Sequence, residues 1–150
     1  MDLMRVLGTG DGEVKVAILS AVETVTSTIP ATLDAACLSK MADREQITDA
    51  IVDGPLAFDN AISLYAAETK GIDSKVSGNA DILMVPDLES GNMLAKQLKY
   101  LGNALMAGIV LGAKVPIILT SRADPMDMRV ISCVLASYIY NNAKTKLIKK

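Results

Sequence analysis

The chain has 150 residues, a net charge of −2, 51% hydrophobic residues and 3% aromatics, with no His and no Trp. That length can bury a core without disulfide or metal staples. The composition excludes Ser-His and Cys-His nucleophile pairs within the chain, and it lacks the commonest transition-metal ligand, a base-stacking aromatic platform and the basic surplus of a nucleic-acid binder.

The elements alternate short apolar runs with longer amphipathic stretches. Glycines at Gly8, Gly10 and Gly12 open the chain. They precede a strand instead of following one, so they read as a turn and not as a phosphate-binding loop. Val14–Leu19 reads as a strand and residues 31–44 as a helix, with Leu33, Cys37, Leu38 and Met41 at helical spacing. Residues 50–52 form a short strand running into Asp53-Gly54-Pro55. Pro55 suits the first turn of a helix reaching Lys70, with Gly71 as its terminator. Residues 81–85 are a third strand, broken by Pro86-Asp87 and followed by a helix over 90–101 that Gly102 ends. Residues 105–111 and 115–119 read as buried strands, and Asp124-Pro125 opens a last helix to about Ala143. Continuous apolar strands separated by helices predict a three-layer α/β/α fold around a mostly parallel sheet.

Cys37 and Cys133 are far apart and form no Cys-x-x-Cys pair, so they read as two reduced, packed thiols of a cytoplasmic protein. The start at Met1-Asp2-Leu3 shows no basic region followed by an apolar run, so no secretory signal is expected. The longest apolar run, residues 104–113, is too short for a membrane span. The lysines at 144, 146, 149 and 150 read as a solvated helix end. No metal site, membrane contact or nucleic-acid partner is expected.

Ligands of parallel α/β sheets bind beyond the carboxyl ends of the strands. That rule selects the loops 21–28, 53–60, 86–92 and 120–127. The stretch Asp87 to Asn92 combines a carboxylate, the Ser90 hydroxyl, a glycine and an amide at a strand-to-helix turn. Thr120-Ser121-Arg122-Ala123-Asp124 sets two hydroxyls and a guanidinium at another, next to helix N–H groups that favour anions. The same residues admit a plainer reading. Asp124 ahead of Pro125 fits an N-cap, with Asp127 at the third helical position completing a capping box, and Asp87 and Ser90 fit as caps too.

Three ordered stretches then carry a family resemblance: Asp53-Gly54-Pro55-Leu56-Ala57-Phe58-Asp59-Asn60-Ala61, Val85-Pro86-Asp87-Leu88-Glu89-Ser90-Gly91-Asn92 and Leu119-Thr120-Ser121-Arg122-Ala123-Asp124. Together they resemble the phosphate acetyl/butyryltransferase family, the butyryl branch more closely, because Ala-Asp and not Gly follows the Ser-Arg. The resemblance implies acyl exchange between coenzyme A and phosphate, with coenzyme A as substrate, no bound cofactor and a homodimeric assembly. It implies catalytic roles for Ser121 and Arg122, and a carboxylate base for the thiol at Asp127, with Asp124 as the alternative. Asp87, Ser90, Asn92 and Asp124 are the implied substrate-binding residues.

The implied fold is the second domain of an enzyme built like the isocitrate and isopropylmalate dehydrogenases. Residues 1–13 would be a leader, 14–120 the α/β domain, and 121–150 a helix returning to a first domain that this chain lacks. Val130, Ile131, Val134 and Leu135 would then need a replacement cover. Half a cleft cannot orient two substrates, so a fragment of low activity is expected. The alternatives are a non-catalytic dimerisation module or a binding module for coenzyme A or acyl phosphate.

Overall fold

The computed structural model describes Met4 and residues 13–147, with side chains as far as residue 142. The glycine turn at 8–12 and Lys149 and Lys150 lie outside the described residues. The chain divides between Met93 and Leu94 into two compact units, described separately below.

The first unit is built on β1 (Val14–Leu19), which pairs in parallel with β2 (Ala50–Leu56) on one side and β3 (Ile82–Met84) on the other. The central strand is the most apolar and the most buried: Val16, Ala17, Ile18 and Leu19 are all at most 7% exposed. A strand covered on both faces has no solvent side on which to alternate, which is why VKVAIL reads as a near-continuous run. Helix α1 (Pro30–Asp43) makes the β1-to-β2 crossover, with Pro30 in its first turn. The Thr32 hydroxyl accepts from the Thr26 amide at 2.9 Å and donates to the Ile29 and Thr26 carbonyls, fixing the loop to the helix start. Ser39 Oγ donates to the Gly54 carbonyl at 3.0 Å and ties α1 to β2. The parallel α/β architecture thus matches the expectation.

Pro55 does not start a helix. It lies within β2, and the helix begins at Phe58. The β1–β2 register slips between Ala17 and Leu19, so the donor that proline lacks falls at an irregularity, and the Ser20 amide resumes the ladder at the Leu56 carbonyl, 2.9 Å away. Gly54 permits the approach, since a Cβ there would stand 2.6 Å from the Ile18 carbonyl oxygen. The single helix expected to Lys70 is two, α2 (Phe58–Ile62) and α3 (Leu64–Thr69). Ser63 between them is extended, and its hydroxyl accepts from the Ala66 amide. Gly71, at φ +66°, ends α3 as expected.

Helix α4 (Leu88–Tyr100) starts two residues earlier than the sequence suggested. In the second unit, the two buried strands expected over 105–111 and 115–119 are instead two-residue strands, β4 (Ile109–Val110) and β5 (Ile117–Ile118), with Val110, Ile117 and Ile118 exposed. They pair antiparallel, so they do not extend a parallel sheet. Connection length decides this: residues 111–116 can turn a hairpin but cannot make a parallel crossover. The last helix, α5 (Met126–Leu147), buries Met128, Ser132 and Ala136, one face at four-residue spacing. Val130, Ile131 and Val134, the expected apolar stripe, are 51%, 38% and 62% exposed instead. Small Ser132 and Ala136 let the backbone approach its neighbours in a way the bulkier stripe would not. Both cysteines are exposed, which corrects the expectation that they are packed. Cys37 lies on an exposed face of α1 and Cys133 on an exposed face of α5. No helix among the described residues is long and apolar enough to cross a membrane, and no group of three or more metal-ligating side chains occurs among them.

Candidate functional site

In the first unit, the carboxyl end of β3 leads through Pro86 to Asp87 and α4. Asp87 Oδ1 accepts from the Ser90 amide at 2.7 Å, an N-cap bond that explains the early helix start. The Ser90 backbone N–H, then the Ser90 side chain, holds the Asp87 carboxyl below its ordinary range. Ser90 is half-buried and Asn92 is exposed on the same first turn and a half. Gly91 packs against Val85, where a Cβ would come within 2.9 Å of Cγ2.

In the second unit, the chain leaves β5 and makes a tight turn over Ser121 to Asp124 before α5. The Ser121 amide donates to Asp124 Oδ2 at 2.6 Å, and the Asp124 amide donates back to the Ser121 carbonyl at 3.1 Å. The other Asp124 oxygen, Oδ1, takes Lys99 Nζ at 2.5 Å, with the two side chains only 17% and 10% exposed. This ammonium, followed by the Ser121 amide, lowers the Asp124 carboxyl from its ordinary value. The Asp124 carboxylate in turn raises the Lys99 ammonium. Arg129 reaches back from α5, its Nε donating to the Asp124 carbonyl and its Nη2 to the Arg122 carbonyl, each at 3.1 Å. A carboxylate, an ammonium and a guanidinium therefore brace four residues of backbone.

Asp124 is not the N-cap expected of it, and no capping box forms with Asp127. Its carboxylate turns back to Ser121 and Lys99, while Asp127 is the second residue of α5 and accepts from the Met128 amide at 2.8 Å. Charge decides between the two uses: a nearby ammonium outbids a neutral amide. The turn leaves the Ser121 hydroxyl half-buried, within 3.4 Å of the Ala123 amide, and the Arg122 guanidinium exposed. Both stand beside the positive end of a long helix. A hydroxyl, a fixed cation and the Asp127 carboxylate thus share one short stretch of chain, suited to holding an anion and a group that loses a proton. Ser121 and Asp124 are bonded together in the second unit, with Arg122 in the turn between them and Asp127 three residues on; Asp87 and Ser90 are bonded together in the first, with Asn92 two residues on.

Lys99 and Arg129 were missed from the sequence. Lys99 lies one residue before the end of α4, 25 positions from Asp124, and no motif links them. Its only local signal is a lysine pair flanking an aromatic: Lys96 and Lys99 lie 5.9 and 5.1 Å from the Tyr100 ring centre. Arg129 is visible only as an arginine four residues into the last helix.

A family model described as "Phosphate acetyl/butaryl transferase" matches residues 4–137. A phosphate acetyltransferase of Rickettsia felis is 81% identical over 147 residues, covering 98% of this chain and 42% of that protein. A probable phosphate butyryltransferase of Bacillus subtilis is 51% identical over 127 residues, covering 85% of this chain and 42% of that protein. Among solved structures, a branched-chain phosphotransacylase from Enterococcus faecalis V583 superposes with a TM-score of 0.80 at 34% identity, covering 92% of this chain and 49% of that one. The chain thus spans about two fifths of the length of the curated relatives it matches.

Proposed function

The chain belongs to the phosphate acetyl/butyryl transferase family, and from that premise we propose that it takes part in acyl exchange between coenzyme A and phosphate. The observation that carries this reading is the braced turn that presents Ser121 and Arg122 at the start of α5. In the acyl-phosphate direction, the thiolate of coenzyme A attacks the carbonyl carbon. The carbon–sulfur bond forms, the carbon–oxygen bond to phosphate breaks, and phosphate leaves with the electron pair.

Arg122 neutralises the phosphate and the charge that grows on the carbonyl oxygen, and Ser121 Oγ donates to that oxygen. The thiol titrates near 8.5 in its unperturbed state, so a carboxylate must accept its proton. Asp127 takes that role in this reading, because Asp124 is ion-paired to Lys99 and its proton affinity is reduced. Asp87, Ser90 and Asn92 contribute to substrate binding from the first unit. The acyl group is a short one, acetyl or butyryl. Coenzyme A is a substrate and no resident cofactor takes part. The working assembly is a cytoplasmic homodimer, and the 150-residue chain on its own turns over slowly.

The test supplies acetyl-CoA or butyryl-CoA with phosphate and follows thiol release, alongside calorimetry with coenzyme A. Binding with weak turnover, both lost in Arg122→Ala, is the expected result. Coenzyme A binding that survives Arg122→Ala undiminished refutes the site.

A further inference from the structure

A second polar cluster lies at the carboxyl ends of β1 and β2, and the braced turn makes no use of it. Glu23 comes from the loop after β1; Asp59 and Asn60 come from α2, just after β2; Lys70 follows α3. Asn60 is fully buried, at 0% exposure, and its Nδ2 donates to Glu23 Oε2 at 3.2 Å. Lys70 Nζ donates to the same oxygen at 3.4 Å and to Asp59 at 3.1 Å. The Asn60 backbone is pinned as well, its carbonyl accepting from the Gly78 amide at 2.8 Å.

Two buried side-chain atoms here have no hydrogen-bond partner: Asn60 Oδ1 and Ser20 Oγ. Ser20 follows β1 directly, its amide bonded to the Leu56 carbonyl at the end of β2. Both orphans therefore lie at the strand ends where ligands of parallel sheets bind. A buried acceptor without a donor is costly and uncommon enough in folded proteins to call for an explanation.

The surrounding charge limits what can fill the need. Two carboxylates face one ammonium, so the cluster repels phosphate. Asn60 Oδ1 only accepts, so the missing group must donate. A neutral N–H or O–H donor meets both conditions. We propose that Asn60 and Ser20 form a subsite for a neutral amide or hydroxyl donor, filled by the pantetheine arm of coenzyme A. The arm carries amide N–H groups and a hydroxyl and no charge, unlike the phosphate-bearing nucleotide half. This identification rests on the acyl-exchange reading; the need for a donor does not. Glu23 and Lys70, each one-third exposed, form the outer edge, and a group entering at Asn60 competes with Glu23, which holds Asn60 at 3.2 Å and Lys70 at 3.4 Å.

The test is calorimetry on the 150-residue chain with pantetheine and, separately, 3′,5′-ADP, the anionic half of coenzyme A. The variants are Asn60→Ala and Ser20→Ala. Ser20 Oγ has no partner to lose, so Ser20→Ala tests the subsite even if Asn60→Ala does not fold. The expected result is a pantetheine affinity about tenfold weaker in each variant, the size of one lost hydrogen bond, with 3′,5′-ADP affinity unchanged. A chain that binds pantetheine in this Asn60- and Ser20-dependent way but exchanges no acyl group keeps the subsite and loses the transferase reading. A chain that exchanges acyl groups while pantetheine binding ignores both substitutions, or is absent, overturns the subsite alone. An ordered water on Asn60 Oδ1 that pantetheine does not displace overturns it too.

Discussion

Gly108 gives the sharpest test of how the second unit holds its braced turn. Its carbonyl accepts from the Leu119 amide at 2.9 Å, and its amide donates to Ser132 Oγ on α5 at 3.2 Å. A Cβ at this position would stand 2.0 Å from the Leu119 carbonyl oxygen, backbone against backbone. In Gly108→Ala the two segments must therefore separate by about 1 Å or more before the methyl group fits. That movement stretches the 2.9 Å bond beyond hydrogen-bond range, a loss of about 1 kcal/mol, and adds an overpacking cost of about 1–3 kcal/mol. Alanine recovers about 0.4–1 kcal/mol by restricting the unfolded chain. The collision wins, and the net destabilisation is roughly 2–3 kcal/mol. For a unit of this size each kcal/mol lowers the melting temperature by about 4–8 °C, so a drop on the order of 10–20 °C should appear in thermal melts. Leu119 lies two residues before Ser121, so the Ser121 amide resonance should move as well. A variant within about 0.5 kcal/mol of the parent, with that resonance in place, refutes the packing argument.

Ser132→Ala keeps the volume but takes the acceptor from the Gly108 amide, so a loss of about 1–3 kcal/mol in denaturant unfolding is expected; a neutral result means the amide finds another partner. The Lys99–Asp124 pair sets a pH window. Asp124 is lowered, so its contribution is present above the ordinary carboxylate value and is lost as pH falls through the lowered one; Lys99 is raised, so its contribution is present below the ordinary lysine value and is lost as pH climbs through the raised one. The melting-temperature gap between the parent and Lys99→Met should be flat between about pH 4 and about pH 10 and should close on either side. A gap independent of pH down to strong acid contradicts the ion pair.

The strands of the first unit were legible because a buried parallel strand leaves a mark that needs no partner: VKVAIL is apolar at almost every position, and β1 is the most buried element of that sheet. Pro55 misled because its two ordinary uses, a helix start and a strand irregularity, share one local sequence; the register slip opposite it on β1 decides between them. The β4–β5 hairpin misled differently. Its apolar runs form strands, but exposed ones of two residues where buried ones were expected, and strand direction lies in the length of the connection and not in the composition of the runs. The cysteine assignment failed because sequence spacing does not say which face of a helix its neighbours will cover.

The same division between local and distant signals runs through the site. Asp87 was legible as a cap because its partner, the Ser90 amide, is three residues away and any helix start there supplies it. Asp124 carried the same local signature and took a different role, because Lys99 arrives from 25 residues upstream and offers a full charge where the helix offers a partial one. That contest has a consequence for its neighbour. With Asp124 drawn back to Ser121 and Lys99, the first turn of α5 is left to Asp127, which accepts from the Met128 amide and remains exposed. Two acids three residues apart, alike as caps in the sequence, are thereby separated into one that holds the turn in shape and one that faces solvent. The lysine that separates them belongs to no motif, so the sorting is a property of the fold and not of the Ser-Arg-Ala-Asp stretch itself.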